Sequence, residues 1–485
     1  MTGTVVSVLV VSYIIIFEPF IHTYMRVSCY TMLAFCCLVL LMTSCEENVA
    51  PTPMVTNPPA VDPNIETPED PLAPFVSEEE ISWIQEHHEP VSSLSANEYT
   101  DLQFLKPLLE NKRIVQLGES GHGVRQYSQA KTRLIKFLHQ EMGYNVLAFE
   151  SGMYECFFTQ KNLIKNSSGR ELMRNSIFAV WSTDEVEELF TYIAETQNTP
   201  NPIILAGFDV QFSSVSGSEK RGTFFYDLIA GLDSAYAKSI QLLDNNYRQK
   251  TFGDFNALLK DININRENLI TRYTALAEYL LVNQAEITEK YPGDPLEVSL
   301  GIQLAKSIIY HINQLYWSSV GDNTKLLNSR DEGMARNVSF LVNTLYPDEK
   351  MMIWAHNFHI RHANSQIPTQ STSNPIVMGE WVHEEFSAEL YTIGFYAYTG
   401  RMAYNNREIY WLNEAGFGSL EAIMYRTRRR YAFLDLENQS PEEGNEWIFR
   451  LTEAKSWGTN RLKMILHDNY DGIFFIHTVS PPNYL

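Results

Sequence analysis

The sequence has few cysteines, and their positions matter more than their number. Four of the five lie within the first 45 residues, and only Cys156 follows. Disulfide bonds therefore cannot staple the rest of this 485-residue chain together. This excludes the small, disulfide-rich class of secreted folds, and the stability of the chain must come from a hydrophobic core.

Positive charge is also scarce. The chain has 37 Lys and Arg against 58 Asp and Glu, a formal net charge of −21. A nucleic acid or an anionic membrane surface would require a basic field, so neither is an expected partner. With 45% hydrophobic residues the chain is not disordered, and its length predicts two or three domains with full cores.

The N-terminal region resembles an export signal. From Met25 the chain reads MRVSCYTMLAFCCLVLLMTSC, with one Arg, a short apolar run and small residues before Cys45. This pattern is similar to a bacterial lipoprotein signal, in which the Cys is lipidated, and it predicts a signal region over residues 1–45 with a start at Met25. An uncleaved anchor helix is the alternative. We expect a protein of the bacterial cell envelope, attached to a membrane through lipid on Cys45.

A proline-rich stretch follows the signal. Residues 50–74 hold eight of the 21 prolines and almost no large apolar residue, so this stretch cannot bury enough surface to fold. We predict a tether over residues 46–74 and a globular body over residues 75–485.

Short apolar runs alternate with helical patterns in the body. IVQLG at 114–118, a helical pattern that stops at Gly143, and NVLAFE ending at Glu150 form a strand, helix and strand in succession. Further buried strands are predicted to end at Asp209, His356, Tyr398 and His477, while residues 217–335 show only helical periodicity. The predicted fold class is α/β, with a mostly parallel central sheet flanked by helices and an all-helical insertion.

The motif GESGHG, residues 118–123, lies in the turn between the first strand and its helix. Its glycines suit a tight turn and close approach to a ligand, and a helix start favours negative charge. Ser120 does not complete a nucleophile elbow, because His122 stands where that motif requires Gly. His122 is a candidate general base, and Glu119 and Glu150 would flank it if their strands were adjacent.

A second motif, WAHNFHIRH at 354–362, follows another predicted strand. His356 and His359 are spaced to share one site, either as metal ligands or as a base and an oxyanion donor, whereas His362 is expected on a solvated loop. Two readings stay open. In the first, the site has no cofactor. In the second, the protein is a metal-dependent hydrolase or peptidase, in which a divalent metal activates water and is held by Glu119, His122, Glu150, His356 and His359.

Taken in order, these motifs resemble the erythromycin esterase family over residues 100–480. The resemblance rests on Gly118, Glu119, His122, Gly123, Glu150, Trp181, Glu185, Gly207, Asp209, Gln211, Arg330, Asp331, Met334, Asn337, Trp354, Ala355, His356, Asn357 and His359. Two positions depart from the family pattern: Gln126 stands in place of Glu, and Lys131 in place of the more frequent Arg.

The resemblance implies a hydrolase that opens a small-molecule ester or lactone with water. In that reading His122 is the base, Glu119 or Glu150 orients it, and His356 and His359 polarise the carbonyl or hold the oxyanion. Lys131, Trp181, Asp209 and Arg330 are the expected substrate-binding residues. The alternative from another class is a lipoprotein that binds a small molecule without catalysis, and a role in antibiotic resistance depends on whether the substrate is a macrolide.

Overall fold

The computed structural model describes residues 74–368 and 374–485. The predicted signal region, Cys45 and the tether up to residue 73 lie outside the described residues. Within them, no helix is both long and apolar enough to cross a membrane.

Short, mostly apolar runs build a central sheet. In chain order the strands are β1 (Glu89–Val91), β2 (Ile114–Leu117), β3 (Tyr144–Gly152), β4 (Ile204–Asp209), β5 (Lys350–Trp354), β6 (Leu390–Ala403), β7 (Ile409–Trp411), β8 (Tyr431–Asp435), β9 (Leu451–Ser456), β10 (Asn460–Ile465) and β11 (Gly472–Val479). Nine of these strands form one sheet in the order β1-β8-β11-β6-β2-β5-β3-β4, with β7 paired to β6. The run from β11 to β4 is parallel, and β9 and β10 form a separate hairpin.

Helices cover both faces of the sheet. They are α1 (Glu78–His87), α2 (Leu105–Leu108), α3 (Arg125–Met142), α4 (Met153–Asn162), α5 (Gly169–Ser176), α6 (Asp184–Thr196), α7 (Arg221–Ile229), α8 (Ser234–Thr251), α9 (Phe255–Val282), α10 (Gln284–Lys290), α11 (Leu296–Ser319), α12 (Asn323–Phe340), α13 (Asn357–Ile360), α14 (Met378–Phe386), α15 (Leu420–Tyr425) and α16 (Glu446–Phe449). Short 3₁₀ helices span Thr100–Leu102, Ala179–Trp181, Asn364–Gln366 and Ser387–Glu389, and a π segment spans Leu341–Leu345.

The strands bury both faces, which explains their nearly continuous apolar sequences. In β5, Met351 and Ile353 join the core shared with α7–α12, whereas Met352 and Trp354 face the core shared with α3 and α6. The predicted fold class is confirmed, and the expected helical stretch corresponds to α7–α12. The predicted stop of α3 at Gly143 is also observed, with a left-handed φ of 72°.

Strand order corrects one prediction about the site. Glu119 and Glu150 do not lie on adjacent strands, because β5 pairs with both β2 and β3 and separates them. The order β2-β5-β3-β4 brings the carboxyl ends of four parallel strands together at one edge of the sheet, where ligands of open α/β folds bind.

Candidate functional site

The site lies at the carboxyl ends of β2, β5, β3 and β4. Glu119 comes two residues after β2, and His356 comes two residues after β5. Glu150 lies near the end of β3, and Asp209 is the last residue of β4. All four side chains are nearly or fully buried, so each charge among them requires a partner.

The turn of residues 118–123 places Glu119 and His122, and we call it the His122 turn. A Cβ atom on Gly118 would lie 2.0 Å from Oδ1 of Asn357, and one on Gly123 would lie 2.1 Å from the carbonyl oxygen of Ala403. None of the glycines in the turn has a positive φ. Gly118 and Gly123 are therefore required for close packing against neighbouring protein, and not for the ligand approach that the sequence suggested.

His122 is oriented by Glu119. Its Nδ1 lies 2.6 Å from Oε1 of Glu119, which places the ring proton on Nδ1 because an ionised carboxylate can only accept. No hydrogen bond from residues 74–368 or 374–485 engages its Nε2, and the side chain is 12% exposed. His122 thus presents an Nε2 lone pair, as a general base requires.

Two further donors fix Glu119. Nζ of Lys131 donates to Oε2 at 2.5 Å, and Nε1 of Trp181 donates to Oε1 at 2.8 Å. Lys131 also lies 3.9 Å from the ring centroid of Trp354. Burial lowers the pKa of Lys131 to about 8, although the charge of Glu119 opposes this shift. Lys131 and Trp181 were predicted to bind substrate, but their placement favours support of Glu119.

Glu150 belongs to a second charge cluster. Its Oε1 accepts from Nη2 of Arg330 at 2.8 Å, and its Oε2 accepts from the backbone N–H of His356 at 2.9 Å. Burial alone would raise the pKa of Glu150, but the charge of Arg330 and the hydrogen bond from the backbone N–H of His356 hold it well below its ordinary range. Of the two carboxylates predicted to orient His122, the structure brings only Glu119 into hydrogen-bond contact with it.

Arg330 joins the two buried carboxylates of this cluster. Its Nη2 donates to Oδ2 of Asp209 at 2.5 Å, and its Nε lies 3.2 Å from the same oxygen. Its Nη1 lies 3.0 Å from Nε2 of His359. The Asp209 side chain is fully buried and that of Arg330 is 14% exposed. Arg330 and Asp209 were predicted to bind substrate, and their observed partners are other protein side chains.

His359 has both ring nitrogens engaged. Its Nδ1 donates to Oδ1 of Asp331 at 2.6 Å. Because a guanidinium can only donate, the contact of Nε2 with Arg330 requires a neutral ring that carries its proton on Nδ1. Burial lowers the pKa of His359, and the carboxylates of Asp331 and Glu150 more than offset this. The contacts favour His359 as a support for Arg330, and not as the oxyanion donor that the sequence also allowed.

His356 has the opposite arrangement to His122. Its Nδ1 accepts from the backbone N–H of Phe358 at 3.0 Å, so the ring proton lies on Nε2. That Nε2 is buried and has no hydrogen-bond partner among the residues that the structure describes. Burial and the nearby His122 lower the pKa of His356 well below its ordinary value, which keeps the ring neutral. Its unpartnered N–H belongs to a ring whose centroid lies 5.1 Å from that of the His122 ring.

Three other sequence expectations have clear outcomes. The Ser120 hydroxyl hydrogen-bonds to Tyr127 at 2.8 Å, as befits a residue that is not a nucleophile. Gln126 accepts from the backbone N–H of Ser480, which gives this departure from the family pattern a structural role. The prediction for His362 is wrong: its side chain is 4% exposed, because it packs on His383 and contacts Thr392.

Sequence reasoning missed Trp457. Its indole lies face-on to His356, with ring centroids 4.9 Å apart, and edge-on to His122 at 5.3 Å. It occupies the turn between β9 and β10, far along the chain from every motif. The only local signal is a Trp before a Gly between two short strands, which predicts a turn and nothing about the site.

The donor set does not suit a metal ion. No group of three or more His, Cys, Asp or Glu side chains within the described ranges has metal-binding geometry. The two glutamates of the alternative ligand set are already paired, Glu119 with Lys131 and Glu150 with Arg330. A divalent cation would have to displace both internal cations, so these residues do not fit the alternative proposed from the sequence.

The acid sensitivity of the fold should report on Glu150. Because its folded-state pKa lies well below the ordinary value of 4.5, its ionisation stabilises the fold. The contribution of this ionisation to the free energy of unfolding is complete at pH values above 4.5 and is lost as the pH falls below 4.5 towards the folded-state pKa. We expect the Tm difference between wild type and Glu150→Gln to be constant above about pH 5.5 and to narrow towards pH 3, as measured by calorimetry. A difference that stays constant over the whole range would contradict this assignment.

Comparison with known proteins agrees with the geometry. The erythromycin esterase family profile matches residues 139–479. The chain is 31% identical over 420 residues to YbfO of Bacillus subtilis (strain 168), which is named a hydrolase; the match covers 82% of this chain and 91% of YbfO. It is 21% identical over 421 residues to the erythromycin esterase type II of Escherichia coli, covering 82% and 97% of the two chains.

Solved structures show the same fold. A mutant of the erythromycin esterase EreC in its open conformation matches with a TM-score of 0.63 and 17% identity, over 80% of this chain and 95% of that chain. At this identity the likeness supports the fold alone, whereas the family profile spans most of the sequence. The chain therefore belongs to the erythromycin esterase family, and it is a hydrolase.

Proposed function

We propose that the protein hydrolyses a small-molecule carboxylic ester or lactone by direct attack of a water molecule that His122 activates. The observation that carries this proposal is the pair of neighbouring imidazoles with complementary protonation. His122 presents a lone pair at Nε2, and His356 presents an N–H at Nε2. A base and an oxyanion donor are the two groups that water attack on an ester carbonyl requires.

The proposed reaction proceeds in two steps. His122 Nε2 takes a proton from water while the water oxygen bonds to the carbonyl carbon, and the oxyanion that forms accepts a hydrogen bond from His356 Nε2. The bond from that carbon to the leaving oxygen then breaks as the His122 imidazolium returns the proton to the departing oxygen. The products are a carboxylic acid and an alcohol, which remain in one molecule when the substrate is a lactone.

The buried ion pair behind His122 supports the charge that develops in this reaction. Glu119 accepts the Nδ1 proton of His122, and its negative charge stabilises the imidazolium. Lys131 and Trp181 hold the carboxylate in place, so little reorganisation accompanies the proton transfer. Arg330 and Glu150 fix the backbone N–H of His356 in the same way.

Mass spectrometry tests the proposal directly. The purified protein is incubated with an erythromycin-type macrolide and with an aryl acetate, and the products are examined for the gain of one water. In H₂¹⁸O, direct attack places one ¹⁸O in the product acid during the first turnover and none in the protein. Turnover of neither substrate class, or label in a protein carboxylate, would contradict the proposal.

Removal of metal should leave the activity intact. Because Glu119 and Glu150 are neutralised by Lys131 and Arg330, we expect hydrolysis to need no divalent cation. Exhaustive chelation followed by assay in metal-free buffer should change kcat/KM by less than about twofold. Loss of activity that zinc or manganese restores would favour the metal-dependent alternative.

We further propose that the protein works at the bacterial cell envelope, anchored by lipid on Cys45. The support is the apolar run followed by small residues before Cys45, with a proline-rich tether after it. Cys45→Ala should abolish metabolic labelling with a palmitate analogue and release the protein from the membrane fraction. Cys37→Ala serves as the matched control, and unchanged labelling of the Cys45 variant would overturn the proposal.

A further inference from the structure

Trp457 lies at the tip of a hairpin that covers the two candidate histidines. Strands β9 and β10 pair antiparallel, with Ser456 opposite Asn460, and residues 457–459 form the connection. We call this element the Trp457 hairpin. Trp457 has a φ of 55°, and Gly458 after it has a φ of 66°. The left-handed region is unfavourable for a bulky side chain, so the surrounding structure must hold Trp457 there.

Besides a local hydrogen bond from the Thr459 hydroxyl to its carbonyl, two hydrogen bonds to distant residues hold the main chain of Trp457. Its N–H donates to the carbonyl oxygen of Ser120 at 2.8 Å, and its own carbonyl accepts from the Tyr410 hydroxyl at 2.9 Å. Ser120 lies between Glu119 and His122 in the His122 turn. The hairpin tip and the turn that carries the base are thus joined by a direct main-chain contact.

The indole contacts both imidazoles. It lies over His356 with an angle of 26° between ring planes and meets His122 at 83°. The indole also packs near Gly121: a Cβ atom added to that glycine would lie 3.5 Å from it. Among residues 74–368 and 374–485, one hydrogen bond reaches the His356 ring, from the backbone N–H of Phe358 to Nδ1, and it fixes one nitrogen but not the tilt of the ring. Within the described residues, the indole face is the flat surface packed against that ring.

We propose that Trp457 is a positioning residue for His356, which sets the ring plane and so the direction of the unpartnered Nε2–H. This inference rests on the function proposed above, because the N–H is useful when it points at the oxyanion that His122-activated water creates. Misdirection of such a donor by about 1 Å can cost as much as a hundredfold in rate. The strained backbone of Trp457 is retained because it aims the indole at His356.

Kinetics of matched variants test this role. Trp457→Leu should lower kcat for an aryl acetate by about 10- to 100-fold and leave KM within about threefold, since the ring directs a transition-state contact. Trp457→Phe keeps an aromatic face and should retain most of kcat. Trp411→Leu replaces an exposed tryptophan in β7 and should be silent. Wild-type kcat in Trp457→Leu, or a loss confined to KM, would overturn the proposal.

A spectroscopic readout separates this proposal from the proposed reaction. The ring ¹⁵N shifts of selectively labelled histidine report the tautomer, and His356→Gln assigns the signals. We expect the Nε2–H tautomer at His356 in every variant, because Phe358 still donates to Nδ1. The ring signals should stay sharp in the wild type and in Trp457→Phe and be broadened in Trp457→Leu, where the ring plane is no longer held. If the wild type hydrolyses no ester, the proposed reaction fails while this arm still decides the role of Trp457. Unaltered His356 signals in Trp457→Leu would overturn it.

Thermal melting checks that each variant folds. If Trp457→Leu does not fold, Trp457→Met replaces it, because the flexible thioether fills space without offering a flat ring. The same kinetic loss and the same broadening of the His356 ring signals are expected. Trp457→Met with wild-type kcat and unaltered His356 signals would overturn the proposal.

Discussion

His122→Ala is expected to lower kcat for ester hydrolysis by about 10²- to 10⁴-fold, the usual contribution of a positioned general base. Among the groups of the candidate site, His122 combines an Nε2 lone pair with a carboxylate that stabilises its protonated form. The variant leaves Glu119 paired with Lys131 and Trp181, so the buried carboxylate keeps partners. Stability should therefore change by no more than about 1–2 kcal/mol.

Steady-state kinetics and a denaturant titration measure the two effects in His122→Ala separately. His139→Ala is a matched control, because His139, like His122, is a partly buried histidine. Its ring makes hydrogen bonds to Tyr192 and Asn201. It lies in the last turn of α3 and should retain full activity. A His122→Ala variant that keeps more than a tenth of wild-type kcat would exclude His122 as the base. Wholesale unfolding would make its role structural.

Arg330→Met is expected to destabilise the fold by about 3–5 kcal/mol, the cost of leaving buried charge without its partner. Arg330 neutralises Asp209 and Glu150 together, whose side chains are 0% and 5% exposed. Methionine preserves much of the side-chain volume, so the loss reports on charge and hydrogen bonds. Activity should fall as well, because Glu150 also holds the backbone N–H of His356.

Urea unfolding at neutral pH measures the stability effect of Arg330→Met. Arg336→Met is the matched control on the same helix, because Arg336 is 53% exposed and pairs loosely with Glu332, and it should change stability by less than about 0.5 kcal/mol. The double variant Arg330→Met with Asp209→Asn should recover part of the loss, because it removes one of the two unpaired charges. Additive losses in the double variant would contradict this account of the cluster.

Sequence patterns located the chemistry better than they located its geometry. Buried parallel strands are readable as apolar runs, so the positions of Glu119, Glu150, Asp209 and His356 at strand ends followed from the sequence. Strand order did not, because strands buried on both faces read alike and nothing local places β5 between β2 and β3. The separation of Glu150 from the turn that carries Glu119 and His122 depended on that order.

Roles were harder to predict than positions. Lys131 and Arg330 were expected to touch substrate because of the resemblance to the family, but both neutralise internal carboxylates. Trp457 was missed, because its hairpin has short and partly exposed strands and reaches the site through tertiary contacts alone. Distant contacts of this kind leave no periodic signal in the chain.

The place of β5 in the sheet also governs how the molecule can form. Strands β2 and β3 each pair with β5. This strand begins only at Lys350, so the ribosome synthesises it after the six helices α7–α12. Until then each of the strands β2 and β3 has an edge with unpaired backbone N–H and C=O groups, and such non-local parallel pairing is slow to form and prone to aggregation. A nascent chain that stops before Lys350 lacks the strand that lies between β2 and β3, so His122 and His356 come together only late in folding.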